Sequence, residues 1–246
     1  MDNKTSSKVY KAVFLDWDQT LGDWAGAETQ ALRDLYEQHH LGEWFNSFEE
    51  YDTAYAIHNR ALWEAYELQT ITRDFLHRDR FLHPILQALG MAQAPKALID
   101  LADKMGDEFL TLTNRYFSLL PGAEETVKYL AAKYPLTIVS NGFSEVQYYK
   151  FEHSGLQSYL THILISEEVG CNKPQRGIFD EALRRNGVTA EEAVMIGDSY
   201  SSDIQGAINA GIDQLWVQSE YTRAEGDDER TATYIVPKLT DVMQIL

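Results

Sequence analysis

The chain has 246 residues, of which 44% are hydrophobic and 12% aromatic, enough for one sizeable core or for a core with a smaller appended domain. Its 38 acidic and 21 basic side chains give a formal net charge of −17. This negative field repels nucleic acid polymers and anionic membrane surfaces, so neither is expected as a partner. A small phosphorylated molecule is not excluded, because a buried cation and a few local donors outweigh a screened surface field at contact distance.

The first residues, 1–8, are polar and mixed in charge, with no apolar stretch of the kind found in a secretory signal. Apolar runs elsewhere are far shorter than the roughly 20 residues that span a bilayer. The single cysteine, Cys171, has no second cysteine for an intrachain disulfide. We therefore expect a cytoplasmic protein.

Six short apolar runs, each ended by polar or glycine residues, are typical of buried parallel strands. Helical patterns separate most of them. The alternation of strands and helices predicts an α/β fold with a Rossmann-like parallel sheet. The predicted strands are residues 9–15, 136–139, 163–165, 193–196, 215–217 and 234–236.

The segment between the first two predicted strands, residues 22–119, is too long for a simple crossover. Apolar residues recur in it at helical spacing over four stretches. Gly90 interrupts this pattern, and Pro121 with Gly122 marks the return to the sheet. We therefore predict an inserted α-helical cap domain at 22–119 and a catalytic core formed by residues 1–21 and 120–246.

Two carboxylates follow the first predicted strand. In an open α/β sheet, ligands gather at the carboxyl ends of the strands, and Asp16 and Asp18 lie at such an end. One carboxylate could attack a substrate while the other transfers protons. An Asp-x-Asp pair also occurs in calcium-binding loops and ordinary turns, so it needs support from other strand ends.

The end of the second predicted strand carries Ser140 and Asn141. The following residues, 144–147, have the Ser-x-x-Gln pattern of a capping box, which predicts a helix start. A hydroxyl, an amide and the free backbone N–H groups of a helix start could hold phosphate oxygens. A polar turn before a capped helix explains the same residues.

The third and fourth strand ends add a cation and two more acids. Lys173 directly precedes Pro174, which favours extended geometry at the lysine and could aim its ammonium group inward. Asp198 and Asp203 follow the fourth strand, beside Gly197. Hard oxygen ligands of this kind suit magnesium.

These four groups, in this order, resemble the motifs of the haloacid dehalogenase superfamily of phosphatases, and the resemblance spans the whole chain. Within that superfamily, the stretches 140–147, 165–170 and 197–212 look like the bacterial pyrimidine 5'-nucleotidase group. Trp17 departs from the smaller or apolar residue expected between the first two acids. The matching residues are Asp16-Trp17-Asp18-Gln19-Thr20, then Ser140, then Lys173, and last Gly197-Asp198 with Asp203.

The resemblance implies Mg²⁺-dependent hydrolysis of a phosphomonoester through a phospho-aspartate. Asp16 would be the nucleophile, and Asp18 would protonate the leaving alcohol and then activate water. Magnesium would be bound by a carboxylate oxygen of Asp16, the main-chain carbonyl of Asp18 and a carboxylate oxygen of Asp198.

The resemblance also assigns the phosphate ligands. Lys173 would hold phosphate and nucleophile together, Ser140 would donate a hydrogen bond to a phosphate oxygen, and the Asn141 backbone would add another donor. Thr20 and Asp203 would support these groups without touching the substrate.

Together, these features predict a 5'-nucleotidase for nucleoside monophosphates, especially pyrimidine ones. A phosphatase for sugar phosphates or phosphoglycolate is the alternative within the same chemistry. A receiver-like phospho-acceptor or an interaction module would be a non-enzymatic alternative, but the inserted segment, Asp18 and the full set of acids disfavour both. The oligomeric state stays open.

The predicted cap holds many aromatic and histidine side chains. The aromatic ones could stack on a base, although packing in a core is the commoner role at helical spacing. The histidines show no repeated metal-ligand spacing, so we expect them on the surface or in helix packing. These residues are Trp24, Trp44, Tyr51, Tyr55 and Trp63, and His39, His40, His58, His77 and His83.

Overall fold

The computed structural model describes residues 8–218 and 230–246. Most of the polar N-terminal segment, residues 1–7, and residues 219–229 therefore lie outside the described residues, so the parts of the predicted core there are not addressed. The chain divides into two compact units. The core unit contains the residues up to Asp23 and from Leu119 onward, and the helical unit is Trp24–Ser118.

A six-stranded parallel sheet forms the centre of the core unit, with the spatial order β3-β2-β1-β4-β5-β6. The predicted α/β fold with a Rossmann-like sheet is confirmed. The predicted start of the first strand at residue 9 is wrong, because β1 begins at Ala12 and Val9 is 75% exposed. The strands are β1 (Ala12–Leu15), β2 (Leu136–Ser140), β3 (His162–Ile165), β4 (Ala193–Gly197), β5 (Asp213–Val217) and β6 (Tyr234–Val236).

The helical unit consists of α1 (Trp24–Gln38), α2 (Phe48–Glu67), α3 (Arg73–Ala88) and α4 (Lys96–Arg115). The side chains of Ser47 and Thr72 accept backbone hydrogen bonds at the starts of α2 and α3. Gly90 has a φ of 63°, which glycine adopts at low cost, and it follows the end of α3.

Aromatic side chains fill the interior of the helical unit. Tyr51, Tyr55, Phe81 and Phe109 are each at most 1% exposed and belong to one hydrophobic cluster. Trp24 and Trp44 pack against the same cluster from partly buried positions. The packing role expected for Tyr51 and Tyr55 is therefore confirmed, and these two rings are not available to stack on a ligand.

Among the described residues of the core unit, five α-helices accompany the sheet: α5 (Ala123–Ala131), α6 (Ser144–His153), α7 (Ser166–Val169), α8 (Arg176–Asn186) and α9 (Gln205–Ala210). Phe14 and Met195 from the sheet pack with Phe179 of α8 and Ala207 of α9 in one buried cluster. No helix in the described parts of the chain is long and apolar enough to span a bilayer.

Candidate active site

The carboxyl ends of β1, β2 and β4 lie side by side. Leu15, the last residue of β1, is in register with Ile138 of β2 and Ile196 of β4. The backbone N–H of Asp16 donates to the carbonyl oxygen of Ile196 at 2.9 Å, which extends the pairing one residue beyond the strand. Parallel strands end at the same edge of a sheet, so the predicted site residues of the core unit meet there.

A buried lysine links two of the predicted acids. Lys173 Nζ donates to Asp16 Oδ1 at 2.6 Å and to Asp203 Oδ1 at 2.7 Å. Lys173 is 2% exposed and Asp203 is fully buried. Burial alone would lower the pKa of Lys173, but the two carboxylates raise that pKa above its ordinary value. The ammonium group therefore stays charged beside Asp16.

Asp16, Asp198 and Asp203 form a carboxylate cluster, in which one oxygen from each residue lies within 4.8 Å of the others. Burial raises the pKa of Asp16 to about 7, and Asp203 adds to this while Lys173 opposes it. Burial, followed by the negative charges of Asp16 and Asp203, raises the pKa of Asp198 well above its usual range. The Lys173 ammonium offsets only part of this negative charge. A hard divalent cation bound at these carboxylates would neutralise the remaining negative charge.

Asp198 is anchored at its side chain and its backbone. Thr20 Oγ1 donates to Asp198 Oδ1 at 3.1 Å, and Trp216 Nε1 donates to the Asp198 carbonyl oxygen at 2.8 Å. Thr20 is 1% exposed. Thr20 thus connects the loop after β1 to the loop after β4, whereas the contribution of Trp216 was not predicted from the sequence.

Asp203 is occupied at both carboxylate oxygens. Oδ1 accepts from Lys173 Nζ, and Oδ2 accepts from the backbone N–H of Ser199 at 3.1 Å. A Cβ atom on Gly197 would overlap the Asp203 carboxylate, so glycine at this strand end lets the carboxylate approach. These contacts leave Asp203 in a position to orient Lys173.

A separate pair of side chains holds Asp18. Gln147 Nε2 donates to Asp18 Oδ2 at 2.6 Å, and Lys150 Nζ donates to Asp18 Oδ1 at 2.6 Å. Gln147 and Lys150 lie three residues apart on α6 and are 1% and 2% exposed. Sequence reasoning missed both as site residues. The only local indication in the sequence was that these two residues lie three positions apart, which places them on the same face of a helix, next to apolar Val146.

Asn141 holds the loop that carries Lys173. Its Nδ2 donates to the Lys173 carbonyl oxygen at 2.9 Å, and its Oδ1 accepts from the Lys173 N–H at 2.8 Å. Ser140 Oγ accepts from the Gly142 N–H at 3.1 Å, so the hydroxyl hydrogen can point elsewhere. The Asn141 side chain therefore positions the lysine, a role that the sequence did not indicate.

The capping box predicted at residues 144–147 is wrong. Ser144 is the first residue inside α6, and its N–H donates to Glu167 Oε2 at 2.8 Å. An acidic side chain from α7 thus takes the place of the expected serine cap, and its charge suits a helix N-terminus.

Trp17, the residue that departs from the expected first motif, is fully buried. Its ring meets the ring of Phe151 edge to face, with centroids 4.7 Å apart. Its bulk therefore packs against α6, while Asp16 and Asp18 on either side make the contacts described above.

Comparison with known proteins places this chain in a family. The family described as Haloacid dehalogenase-like hydrolase matches residues 13–217. The HAD-hydrolase YfnB of Bacillus subtilis is 30% identical over 97% of this chain and 96% of its own length. Its crystal structure bound to magnesium has a TM-score of 0.81 and 29% identity, covering 97% of this chain and 99% of that chain.

Two further relatives have named substrates. Pyrimidine 5'-nucleotidase YjjG of Escherichia coli is 28% identical over 95% of this chain and 96% of its own length. Glyceraldehyde 3-phosphate phosphatase of Methanothermobacter thermautotrophicus is 35% identical over 66% of each chain. The family match over most of the chain, with a relative that aligns along nearly its full length, confirms the resemblance in the motifs. The chain belongs to the haloacid dehalogenase-like hydrolase family.

Proposed function

We propose that this chain is a Mg²⁺-dependent phosphomonoester hydrolase that forms a phospho-aspartate at Asp16, with pyrimidine nucleoside monophosphates as its substrates. The observation that carries the chemistry is the 2.6 Å contact between Lys173 Nζ and Asp16 Oδ1, at the edge of the sheet where Asp198 also lies. Asp18, only two residues away, is held by different partners. Two carboxylates in different environments suit a nucleophile and a proton-transfer group.

The carboxylate cluster fits a magnesium ion. We assign the ion to a carboxylate oxygen of Asp16, the main-chain carbonyl of Asp18 and a carboxylate oxygen of Asp198, all of them hard oxygen donors. When bound, magnesium would neutralise negative charge between the phosphate and the carboxylate that attacks it. The crystal structure of YfnB bound to magnesium supports the choice of magnesium as the ion.

In the first step, an Asp16 carboxylate oxygen forms a bond to phosphorus while the bond between phosphorus and the ester oxygen breaks. Lys173 holds the phosphate beside Asp16, with Ser140 and the Asn141 backbone as further hydrogen-bond donors. Asp18 in its protonated form gives its proton to the leaving alcohol.

In the second step, Asp18 takes a proton from a water molecule that attacks the acyl phosphate. Inorganic phosphate leaves, and the Asp16 carboxylate is restored. Gln147 and Lys150 orient Asp18 for both steps, since each donates to one of its oxygens at 2.6 Å.

The relatives favour a nucleotide substrate. YjjG aligns over 95% of this chain, so the alignment includes most of Trp24–Ser118, whereas the glyceraldehyde 3-phosphate phosphatase aligns over 66%. The core residues are proposed to contact only the metal and the phosphate group, and the phosphate group is common to all phosphomonoesters. These residues therefore do not distinguish one substrate from another. We therefore assign base selection to residues of the helical unit. Trp44 and Trp63, which are partly exposed, are better candidates than the buried Tyr51 and Tyr55.

A phosphatase for short sugar phosphates is the second candidate, because the 35% identity to the glyceraldehyde 3-phosphate phosphatase exceeds the 28% identity to YjjG. The same active-site chemistry would serve it. The two candidates differ in the group that carries the phosphate, which is a nucleoside in one and a three-carbon chain in the other.

The deciding experiment compares kcat/KM at saturating Mg²⁺ for pyrimidine and purine nucleoside monophosphates, glyceraldehyde 3-phosphate and phosphoglycolate. We expect the highest value for a pyrimidine nucleotide. The Asp16→Asn variant, purified in parallel, measures contaminating phosphatase. A maximum at glyceraldehyde 3-phosphate would favour the second candidate. Equal rates for the parent chain and Asp16→Asn on every substrate would contradict the phosphatase itself.

A further inference from the structure

A cluster of two histidines and one aspartate lies on the α2–α3 hairpin of the helical unit. His58 comes from α2, and Asp79 and His83 come from α3. Asp79 and His83 are four residues apart in one helix, which places them on the same face, one turn from each other. This cluster was not predicted from the sequence, because His58 lies in a different helix from Asp79 and His83.

The three side chains bring their donor atoms together. His58 Nε2 lies 2.8 Å from Asp79 Oδ2, and the His58 and His83 rings stack with centroids 4.0 Å apart and planes 12° apart. One ligand atom from each residue lies within 4.8 Å of the other two. The side chains of His58 and Asp79 are each 20% exposed, and His83 is exposed. The cluster is thus formed by the fold and open to solvent.

The donor set selects a class of metal ion. Two imidazole nitrogens and one carboxylate oxygen suit zinc and its neighbours in the first transition row, whereas magnesium and calcium favour all-oxygen sites. Around a tetrahedral ion with bonds of about 2.0–2.1 Å, neighbouring donors lie roughly 3.3 Å apart. The 2.8 Å pair would open slightly, and the pairs that include His83 start within 4.8 Å. The exposed His83 side chain can rotate to do this without repacking the core.

We propose that His58, Asp79 and His83 bind a zinc-class divalent ion, with water in the remaining position. The ion would connect α2 to α3 in place of the hydrogen bond between His58 and Asp79. If the ion binds the folded chain and not the unfolded chain, it raises the free energy of unfolding, as any such ligand does. This site is chemically distinct from the all-carboxylate cluster of Asp16, Asp198 and Asp203 in the core unit.

The test uses the full chain, stripped of metal with a chelator and then kept in excess Mg²⁺ to occupy the oxygen-ligand site. Zn²⁺ is titrated by calorimetry, and Co²⁺ is added in a parallel sample as a spectroscopic probe of nitrogen ligation. We expect a Zn²⁺ site that Mg²⁺ does not displace. Removing a residue that only hydrogen-bonds to a metal ligand commonly lowers metal affinity by roughly 10- to 100-fold. His83→Ala removes a proposed ligand and should lower the Zn²⁺ affinity by more than that. Zn²⁺ should also raise the Tm of the parent chain but not that of His83→Ala.

His83→Ala is the main variant because its side chain is exposed, whereas His58→Ala also removes a contact between helices. The matched control is His153→Ala in the core unit, where an exposed histidine also stacks on a ring, that of Tyr149. The control should bind Zn²⁺ like the parent chain. Identical isotherms for the parent and His83→Ala would overturn the proposal, and so would the absence of Zn²⁺ binding by the parent.

Discussion

The two units of this chain bury charged side chains in different ways. In the core unit, Lys173 is 2% exposed and donates to two carboxylates at 2.6 and 2.7 Å. In the helical unit, Arg80 is 1% exposed, and its Nε and Nη2 have no hydrogen-bond partner among the described residues. Its guanidinium lies 4.5 Å from the centre of the Phe109 ring instead.

The helical unit also holds a half-buried carboxyl group, that of Glu28, whose hydrogen bonds come from uncharged donors. Tyr55 donates its hydroxyl to Glu28 Oε1 at 3.1 Å, and burial raises the pKa of Glu28 to about 7. The difference teaches that a buried charge in the core unit is held by hydrogen-bonded opposite charges, in the geometry that the proposed reaction would use. In the helical unit, aromatic rings face Arg80 and uncharged groups donate to Glu28, and the positive charge of Arg80 offsets only part of the rise in the Glu28 pKa that burial causes. We therefore expect substitutions of buried charges to change catalysis in the core unit and pH-dependent stability in the helical unit.

The largest expected effect is on catalysis, from Lys173→Met. This change removes the ammonium between Asp16 and Asp203 and keeps a side chain of similar length. Since removing a single preorganised donor commonly costs about 10²–10³-fold, we expect kcat/KM to fall by at least that factor. Steady-state phosphate release measures it.

The matched control is Lys128→Met, because Lys128 is an exposed lysine of the core unit that pairs with Glu124 within α5. It should retain the parent activity. Retention of activity by Lys173→Met as well would show that the buried ammonium does not act on the phosphate.

The second prediction concerns stability, through Glu28→Gln. The pKa of Glu28 is about 7 in the folded chain, against an ordinary value of 4.5. The protonated carboxyl group therefore contributes fully to the free energy of unfolding below about pH 4.5, and this contribution is lost as the pH rises through about 7. Ionisation should lower the free energy of unfolding of the parent by about 3 kcal/mol between pH 4 and pH 8. Glutamine does not ionise and still accepts from Tyr55.

Denaturant unfolding at pH 4 and pH 8 measures this difference. Glu28→Gln should match the parent at pH 4 and exceed its free energy of unfolding at pH 8. Glu49→Gln is the control, because Glu49 is exposed and its pKa is lowered, so this variant should gain nothing at pH 8. A Glu28→Gln variant with no pH-dependent gain would mean that this carboxyl group is better solvated than its burial indicates.

The smallest predicted effect comes from Lys150→Met, which removes one of the two donors that orient Asp18. Gln147 would still hold the other oxygen. We expect kcat/KM for a nucleotide to fall about tenfold, a part of the roughly 10²–10⁴-fold that a general acid contributes. An activated aryl phosphate, whose leaving group needs little protonation, should lose less. Equal losses on both substrates would assign Lys150 a structural role only.

The sequence was most informative where the signal is local. The apolar runs located the six strands of the described sheet, and the polar residues directly after two of them located Asp16 and Asp198, because parallel strand ends converge on one edge. Lys173 lies beyond α7, in the loop after β3, and was singled out because it precedes a proline. Contacts between distant segments were not predictable in this way. Lys150 reaches Asp18 across 132 positions, and this contact depends on how α6 packs on the sheet.

The wrong capping box shows the same limit. Ser144 has the right residue type at the right spacing, but it lies inside α6, and Glu167 from another helix accepts its N–H. Likewise, His58 and His83 meet only because α2 and α3 pack as neighbours. Residue spacing within one segment does not determine the packing of two segments against each other.

The most direct test of the central claim is to trap the covalent intermediate. The Asp18→Asn variant, mixed with an activated aryl phosphate and Mg²⁺ and quenched in acid during turnover, should accumulate one phosphate per chain, because in the proposed mechanism Asp18 activates the water that removes it. Peptide mass spectrometry should locate this phosphate on Asp16, and an Asp16→Asn sample should carry none. Phosphate on another side chain, or parent-like turnover by Asp16→Asn, would contradict the account.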